Sequence, residues 1–238
     1  MRLGIIGYGK MGHEIENIAL KRNHEITLIV DLDNYDDLNP DKLKTVDVAV
    51  EFTTPGTAYA NIRKCFDGNV PVVSGTTGWL EHYERITEYC LQKNQAFFYA
   101  SNYSLGVNIL FSINRYLAGI MNNFRDYSVE IEETHHVQKL DAPSGTAITL
   151  ADDIIPALEY KDRWIAEGNG GENVIPIHSS RKDMIPGIHT VKYDSEYDTL
   201  EITHSAKGRT GFAMGAVLAA EFLNGKKGIF GMKDLLPF

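Results

Sequence analysis

The stretch that decides the fold opens the chain and reads Arg2-Leu3-Gly4-Ile5-Ile6-Gly7-Tyr8-Gly9-Lys10-Met11-Gly12. Its apolar beginning favours a strand, and its glycines have the GxGxxG spacing of a strand-to-helix turn that binds a dinucleotide. Gly7 permits the tight turn, Gly9 lets a pyrophosphate approach the backbone, and Gly12 lets the helix pack on the sheet. The helix N-terminus offers N–H groups to the phosphates, beside Lys10 and Met11. The alternative interpretation is a tight turn that binds no ligand.

The next hundred residues continue this alternation of strands and helices. Strands are predicted over residues 2–6, 26–30, 46–52, 70–74 and 95–100, and helices over residues 10–21, 57–66 and 80–93. Short strands separated by amphipathic helices are typical of parallel βαβ units with right-handed crossovers. The first part of the chain is therefore predicted to be a nucleotide-binding α/β domain.

The residue after the second predicted strand bears on the cofactor. Asp31 lies about 20 residues beyond Gly12, where a carboxylate accepts hydrogen bonds from an adenosine ribose. The same charge repels a 2′-phosphate, so Asp31 favours NADH over NADPH.

Glycines, threonines and small polar residues follow three later strands, where ligands of open parallel sheets bind. Such residues leave room and hydroxyl groups for a nicotinamide ribose or carboxamide, although ordinary loops have a similar composition. The three segments are Phe52-Thr53-Thr54-Pro55, Gly75-Thr76-Thr77-Gly78 and Ala100-Ser101-Asn102-Tyr103-Ser104.

The second half of the chain has a different pattern. In residues 126–135, Val129 and Ile131 alternate with Glu130 and Glu132, as in a half-buried strand. A helix is predicted over residues 144–158, strands over 173–180, 187–194 and 199–205, and a C-terminal helix over 211–223. The last two strands form a predicted antiparallel hairpin. We therefore predict an α/β fold with a nucleotide domain of residues 1–104 and 213–238 and an open-sheet α+β domain of residues 105–212.

The densest group of reactive side chains lies between that strand and the helix after it, Glu133-Thr134-His135-His136-Val137-Gln138-Lys139-Leu140-Asp141-Ala142-Pro143-Ser144-Gly145-Thr146-Ala147. Ser144 or a neighbour is expected to cap the helix, leaving the N–H groups of Gly145 and Thr146 to face an anion. Lys139 adds a positive charge, which suits a carboxylate substrate. His135 or His136 is suited to exchange a proton near pH 7.

Three other interpretations of this group compete with a carboxylate-binding site. A metal site would combine the two histidines with His178, His189 and His204, but adjacent residues of a strand point to opposite faces, and no metal is expected. Ser144 lacks the G-x-S-x-G surroundings of a nucleophile. The third is a capped helix with surface histidines. A weaker set of candidates comprises Arg181, His189, His204, Lys207 and Arg209.

Composition narrows the classes of function. The chain has 238 residues and a formal net charge of −9, whereas nucleic-acid binders normally carry a basic face. No apolar run approaches the roughly 18 residues of a membrane span, and the start lacks the features of a signal peptide. Two cysteines, Cys65 and Cys90, are too few for a disulfide scaffold and are expected in the core of a cytoplasmic protein.

Taken together, these motifs resemble those of the dihydrodipicolinate reductases, also called 4-hydroxy-tetrahydrodipicolinate reductases. The central segment from Glu133 to Ala147 carries the resemblance most specifically. The N-terminal glycine turn and several later motifs match in the same order: Phe52-Thr53, Gly75-Thr76-Thr77-Gly78, Asn102-Tyr103-Ser104, and Glu201-Ile202-Thr203-His204 with Arg209. The resemblance spans essentially the whole chain.

The resemblance implies a Rossmann-like domain, a C-terminal domain whose open mixed or antiparallel sheet forms a homotetramer, and NADH- or NADPH-dependent reduction of a cyclic dicarboxylate imine in lysine and diaminopimelate biosynthesis. It makes His135 the proton donor and Lys139 a substrate-binding or acid partner. The implied substrate-binding residues are His136, Lys139, Ser144, Gly145 and Thr146. The implied cofactor-binding residues are Gly7, Gly9, Lys10, Met11, Gly12, Asp31, Phe52, Thr53, Gly75, Thr76, Thr77, Ser101, Asn102 and Tyr103.

The chain departs from the family pattern at a few positions. It is shorter than many members after the second strand, has Glu51 where Asp is common, and has Tyr103 where Phe is common. Leu32 follows Asp31, where some members carry an arginine suited to a 2′-phosphate. Two other functions stay open: another NAD(P)-dependent dehydrogenase on the same plan, such as an amino-acid dehydrogenase, and a non-catalytic NADH sensor.

Overall fold

The computed structural model describes residues 1–168 and 171–236, and the chain divides into two compact units. Met1–Ser104 and Arg209–Phe238 form the first unit, and Leu105–Gly208 form the second. The chain returns to the first unit earlier than the predicted residue 213, because the last long helix begins at Thr210 with Arg209 as its N-cap.

The strands, in chain order, are β1 (Arg2–Ile6), β2 (Glu25–Val30), β3 (Val48–Glu51), β4 (Val72–Ser74), β5 (Ala96–Tyr99), β6 (Ser128–His135), β7 (Arg163–Ile165), β8 (Val174–Arg181), β9 (Ile188–Asp194), β10 (Thr199–Ser205) and β11 (Gly228–Phe230). The α-helices are α1 (Lys10–Lys21), α2 (Pro40–Leu43), α3 (Pro55–Asp67), α4 (Tyr83–Gln92), α5 (Leu105–Met121), α6 (Gly145–Ile154), α7 (Thr210–Leu223) and α8 (Met232–Leu235).

The first unit contains a parallel sheet with the strand order β11-β5-β4-β3-β1-β2. The five predicted strands are present, and the predicted α/β class is confirmed. Strand β11 was not predicted, because three residues are too few to show a period-2 pattern and only pairing with β5 makes them a strand. This sheet brings the carboxyl ends of its strands to one edge, where parallel sheets bind ligands.

The second unit contains a mixed sheet in the order β10-β9-β6-β8-β7. Strand β9 is antiparallel to β6 and β10, which confirms the predicted hairpin, whereas β8 is parallel to β6 and β7. Helices α5 and α6 pack on each other, and α5 was not among the predicted elements. The helix predicted to reach residue 158 ends at Ile154 and continues as a 3-10 turn, Ile155–Ala157, because Pro156 cannot donate a backbone hydrogen bond.

Each unit has its own apolar core. Cys65 and Cys90 lie in the first core as free thiols, which confirms their predicted packing role, and burial raises the pKa of both thiols. Among the described residues, none of the helices combines the length and apolarity needed to cross a bilayer.

Candidate active site

The glycine turn of the first unit has the backbone that its sequence predicts. Gly7 has a φ of +92°, and a Cβ there would lie 2.1 Å from the carbonyl oxygen of Phe52. A Cβ on Gly12 would lie 2.4 Å from the carbonyl oxygen of Gly7, whereas a Cβ on Gly9 would meet no atom within 4 Å. Two of the glycines therefore serve the close packing of the turn, and Gly9 leaves open space at the start of α1.

An open cavity of about 230 Å³ adjoins this turn. Gly7, Gly9, Asp31 and Leu32 line it, together with Ile6, Val30, Tyr35, Phe52, Thr53, Thr54, Thr57 and Asn61. Asp31 is exposed, and the Leu32 side chain beside it is 87% exposed. The Asp31 carboxylate suits the ribose hydroxyls of a dinucleotide, and the glycine turn beside it suits the pyrophosphate.

A buried carboxyl group joins the ends of two neighbouring strands. Glu51, the last residue of β3, is fully buried and accepts hydrogen bonds from Ser74 Oγ at 2.6 Å, Thr76 Oγ1 at 2.9 Å and the Thr53 hydroxyl. The Thr53 N–H in turn donates to Thr76 Oγ1 at 2.8 Å. Burial raises the pKa of Glu51, although these hydrogen bonds oppose the rise. Thr76 thus faces the buried carboxyl group and shapes the loop from within.

The other predicted cofactor-binding residues differ in how deeply they are buried at this edge of the parallel sheet. Tyr103 is buried, and its hydroxyl donates to the Ser74 carbonyl oxygen at 2.7 Å, so its phenol braces the sheet end. Phe52 packs between Tyr103 and Gly75, where a Cβ would lie 2.2 Å from the Phe52 ring. The more accessible residues of the set are Lys10, Met11, Thr77, Ser101 and Asn102.

In the second unit, His135 at the end of β6 faces a buried carboxylate. His135 Nδ1 lies 2.6 Å from Glu133 Oε2, and the Glu133 side chain has no solvent-exposed surface. Burial alone would raise the pKa of Glu133, but polar contacts with His135, Ser179, Ser144 and Arg181 outweigh it and hold the pKa well below the usual range. Glu133 is therefore ionised over the whole physiological pH range.

Arg181, the last residue of β8, fixes the loop that follows β6. Its Nη2 donates to Glu133 Oε1 at 3.0 Å and to the Asp141 carbonyl oxygen at 2.5 Å, and its Nε donates to the Lys139 carbonyl oxygen at 3.3 Å. One guanidinium thus serves as counterion of the buried carboxylate and as anchor of the lysine-bearing loop.

Ser144 caps α6, which confirms that part of the helix prediction. Its Oγ accepts a hydrogen bond from the Ala147 N–H at 3.3 Å and lies 3.0 Å from His189 Nε2. Its own N–H donates to Glu133 Oε1 at 3.1 Å. Because Ser144 is tied to the same carboxylate as His135, the start of α6, including Gly145 and Thr146, is held near the histidine.

Lys139 and His136 are more accessible than His135. Lys139 Nζ lies 2.8 Å from both carboxylate oxygens of Asp141, and this contact lowers the pKa of Asp141. A further carboxylate at Lys139 would therefore share or compete for the N–H donors of Nζ with Asp141. His136 is half-buried.

The structure places the histidines among the weaker candidates in different surroundings. His189 is buried against His135, with ring centroids 5.0 Å apart, and burial first, then His135, lower its pKa to about 4. His204 pairs with His189 across the β9–β10 ladder, whereas His178 lies 3.6 Å from Glu130. The ligand atoms of Glu133, His135 and His189 lie within 4.8 Å of one another. However, the 2.6 Å between Glu133 Oε2 and His135 Nδ1 suits a close ion pair better than two ligands of one ion.

Within this cluster, Glu133 had no predicted role, and Arg181 was predicted only as one of the weaker candidates. A signal for Glu133 was present, because the alternation that buries Val129 and Ile131 also buries residues 133 and 135. Arg181 carried no such signal, since the parallel pairing of β6 with β8 brings it beside His135.

Comparison with known proteins places these features in a family. The family model described as "Dihydrodipicolinate reductase, N-terminus" matches residues 1–103, and "Dihydrodipicolinate reductase, C-terminus" matches residues 106–236. The 4-hydroxy-tetrahydrodipicolinate reductase of Christiangramia forsetii is 50% identical over 238 residues, covering 99% of this chain and 98% of that protein. The enzyme of that name from Thermosipho africanus is 35% identical over 238 residues, with coverages of 99% and 98%.

A solved structure shares the whole fold. The dipicolinate-bound dihydrodipicolinate reductase from Paenisporosarcina sp. TG-14 superposes with a TM-score of 0.79 and is 25% identical, over 99% of both chains. Because this likeness spans both units, the pairing of a Rossmann-like domain with a mixed-sheet domain is that of this reductase.

Proposed function

This chain belongs to the dihydrodipicolinate reductase family of NAD(P)H-dependent oxidoreductases, and on that premise we propose that it reduces 4-hydroxy-tetrahydrodipicolinate to tetrahydrodipicolinate in lysine and diaminopimelate biosynthesis. The observation that carries the proposal is the buried Glu133–His135 pair next to Lys139 and the N-terminus of α6. These groups suit a substrate with two carboxylates and a ring C=N bond.

The second unit supplies the groups that act on this substrate. Addition of a hydride to the ring pushes negative charge into the nitrogen-bearing conjugated system, and a proton from His135 lowers the cost of that charge. Lys139 binds a substrate carboxylate, which shares or competes for the N–H donors of Nζ with Asp141. The N–H groups at the start of α6, at Gly145 and Thr146, hold a carboxylate with His136 and Ser144.

The first unit holds the cofactor, and the reduced nicotinamide supplies the hydride when bound. The glycine turn with Lys10 and Met11 binds the pyrophosphate, and Asp31 binds the adenosine ribose. Phe52, Thr53, Gly75, Thr77, Ser101 and Asn102 form the nicotinamide side. Thr76 and Tyr103, which were predicted to line it too, are buried and support it from within. We propose NADH as the preferred cofactor, because the cavity wall at Asp31 is acidic and its neighbour Leu32 offers no positive charge to a 2′-phosphate.

Two further properties belong to the proposal. The mixed sheet of the second unit ends in the edge strand β10 with an exposed Leu200, which supports assembly into a homotetramer through this sheet. A cytoplasmic location agrees with two free, buried thiols.

The experiment follows absorbance of the reduced nicotinamide, with substrate generated in place from pyruvate and aspartate semialdehyde by the preceding synthase. We expect NADH to give the higher kcat/KM and turnover to require both protein and substrate. His135→Gln and Lys139→Ala should lower kcat/KM by about 100-fold or more while leaving the Kd for NADH nearly unchanged, because neither residue belongs to the first unit.

The matched control is His178→Gln, at a partly exposed histidine of the same sheet. Near-normal turnover in His135→Gln and Lys139→Ala would contradict the assigned roles. A higher kcat/KM with NADPH would contradict the role of Asp31. Turnover of a different imine or keto acid alone would indicate another dehydrogenase, and NADH binding with no turnover would indicate a sensor.

A further inference from the structure

Both ring nitrogens of His135 have neighbours that restrict what the imidazole can do. Nδ1 lies 2.6 Å from Glu133 Oε2, so this side of the ring faces a carboxylate. On the other side, a Cβ built on Gly187 would lie only 2.9 Å from Nε2. The absence of a side chain at position 187 is therefore what leaves room at Nε2.

The Glu133 carboxylate is held in one orientation by its other contacts. Its Oε1 accepts from Arg181 Nη2 at 3.0 Å and from the Ser144 N–H at 3.1 Å, which leaves Oε2 toward His135. The residue is 1% exposed, so water does not compete for these contacts. A buried carboxylate fixed in this way stabilises the N–H form of the facing imidazole nitrogen.

Gly187 is required by its backbone as well as by the space beside it. Its φ of +153° is one that residues with a side chain rarely adopt. Gly208 has nearly the same φ, +156°, but a Cβ there would meet no atom within 4 Å. The two glycines therefore differ in crowding and share the backbone requirement.

We propose that Glu133 and Gly187 are positioning residues for His135, Glu133 fixing the proton on Nδ1 and Gly187 keeping Nε2 open, so that Nε2 is the atom that protonates the substrate. In this step the Nε2–H bond breaks, its electron pair stays on Nε2, and a new bond to hydrogen forms on the substrate. His135 is left as the neutral Nδ1–H tautomer facing Glu133, and solvent returns the proton to Nε2. This inference rests on the proposed function, in which His135 is the acid.

The test compares Glu133→Gln with Glu132→Gln, the exposed neighbour on the opposite face of β6. We expect Glu133→Gln to lower kcat by about 10- to 100-fold with little change in the substrate KM or the Kd for NADH. The solvent deuterium isotope effect on kcat should rise, because proton donation becomes slower relative to the other steps. Glu132→Gln should match the wild type in all four quantities.

A role of Glu133 confined to folding would lower the melting temperature without raising the solvent isotope effect, and that result would overturn the inference. Gly187→Ala provides a second test that leaves Glu133 intact. It should lower kcat and raise the isotope effect, whereas Gly208→Ala, which carries the same backbone strain without crowding, should do neither. Equal kinetic effects of the two glycine substitutions would also overturn the inference.

His135→Gln, measured in parallel, distinguishes the acid role of His135 from the positioning role of Glu133 and Gly187. If this variant keeps its turnover, the proposed acid is wrong and the positioning role falls with it. If His135→Gln is impaired while Glu133→Gln and Gly187→Ala behave as the wild type, the acid role stands and only the positioning role is overturned.

Discussion

Among single residues, the buried charged and titratable side chains of the second unit carry the largest energetic consequences. Glu133 and Arg181 compensate each other, and removal of Arg181 would leave the buried Glu133 carboxylate without its guanidinium counterion. His189 is different, because burial and the adjacent His135 favour its neutral form, and its pKa falls to about 4. This single residue therefore links protonation to the stability of the fold.

Stability should decrease with acidification as a result of His189. Between its unfolded pKa of about 6.5 and its folded pKa of about 4, the unfolded chain binds the proton and the folded chain does not. The contribution is present above pH 6.5 and is lost as the pH falls toward 4, by about 3 kcal/mol at most. We expect His189→Gln to flatten the pH dependence of the free energy of unfolding over this interval.

Urea unfolding of the wild type and His189→Gln at several pH values between 7 and 4 measures this slope. His178→Gln is the control, because that histidine is partly exposed and should leave the slope unchanged. Parallel curves for the wild type and His189→Gln would show that other groups cause the acid sensitivity.

At the scale of elements, helix α7 depends on one close approach. A Cβ on Gly215 would lie 1.8 Å from the carbonyl oxygen of Tyr103, in the loop that follows β5. Because the obstacle is backbone, it cannot swing aside as a side chain does. The same loop is held by the Tyr103 hydroxyl on Ser74, so movement there would reach the sheet end.

Gly215→Ala should therefore destabilise the protein by about 1–3 kcal/mol, despite the higher helix propensity of alanine. Gly211→Ala, in the same helix, meets no atom within 4 Å and should leave stability unchanged or raise it slightly. Thermal unfolding followed by circular dichroism compares the two variants. A melting temperature of Gly215→Ala at or above that of Gly211→Ala would refute the close-packing argument.

At the scale of the whole molecule, the chain leaves the first unit after Ser104 and returns to it at Arg209. The returning segment supplies α7 against α1 and the edge strand β11. Glu221 of α7 accepts from Arg22 Nε at 2.7 Å and lies 2.7 Å from His24 Nε2, which joins the C-terminal segment to the end of α1. The first unit is thus completed only after the second has been synthesised.

For the whole molecule, we predict that four copies of the chain assemble into a homotetramer. Light scattering should give about four times the 26.6 kDa of one chain, as proposed above for a homotetramer. Leu200→Lys on β10 should reduce the mass, because a charge on the exposed edge strand opposes its burial. Leu91→Lys, at an exposed leucine of α4, should leave the mass unchanged. A monomeric wild type would contradict the proposed assembly.

The sequence by itself determined the features that depend on neighbours in the chain. These include the glycine turn, whose spacing reflects local backbone geometry, the period-2 alternation that ends in His135, and the cap of α6 at Ser144. Most strands and helices of the two units follow for the same reason, since periodicity and turn residues are local properties. The family resemblance is recognisable from the sequence because its central motif is continuous.

Only the tertiary structure decided which distant residues meet. The pairing of β6 with β8 places Arg181 against Glu133, and the pairing of β6 with β9 places His189 against His135. Strand β11 and the fit of Gly215 against Tyr103 likewise depend on the chain coming back to the first unit after more than a hundred residues in the second. No local pattern encodes such contacts, because burial, charge pairing and close packing arise only when separate segments share one core.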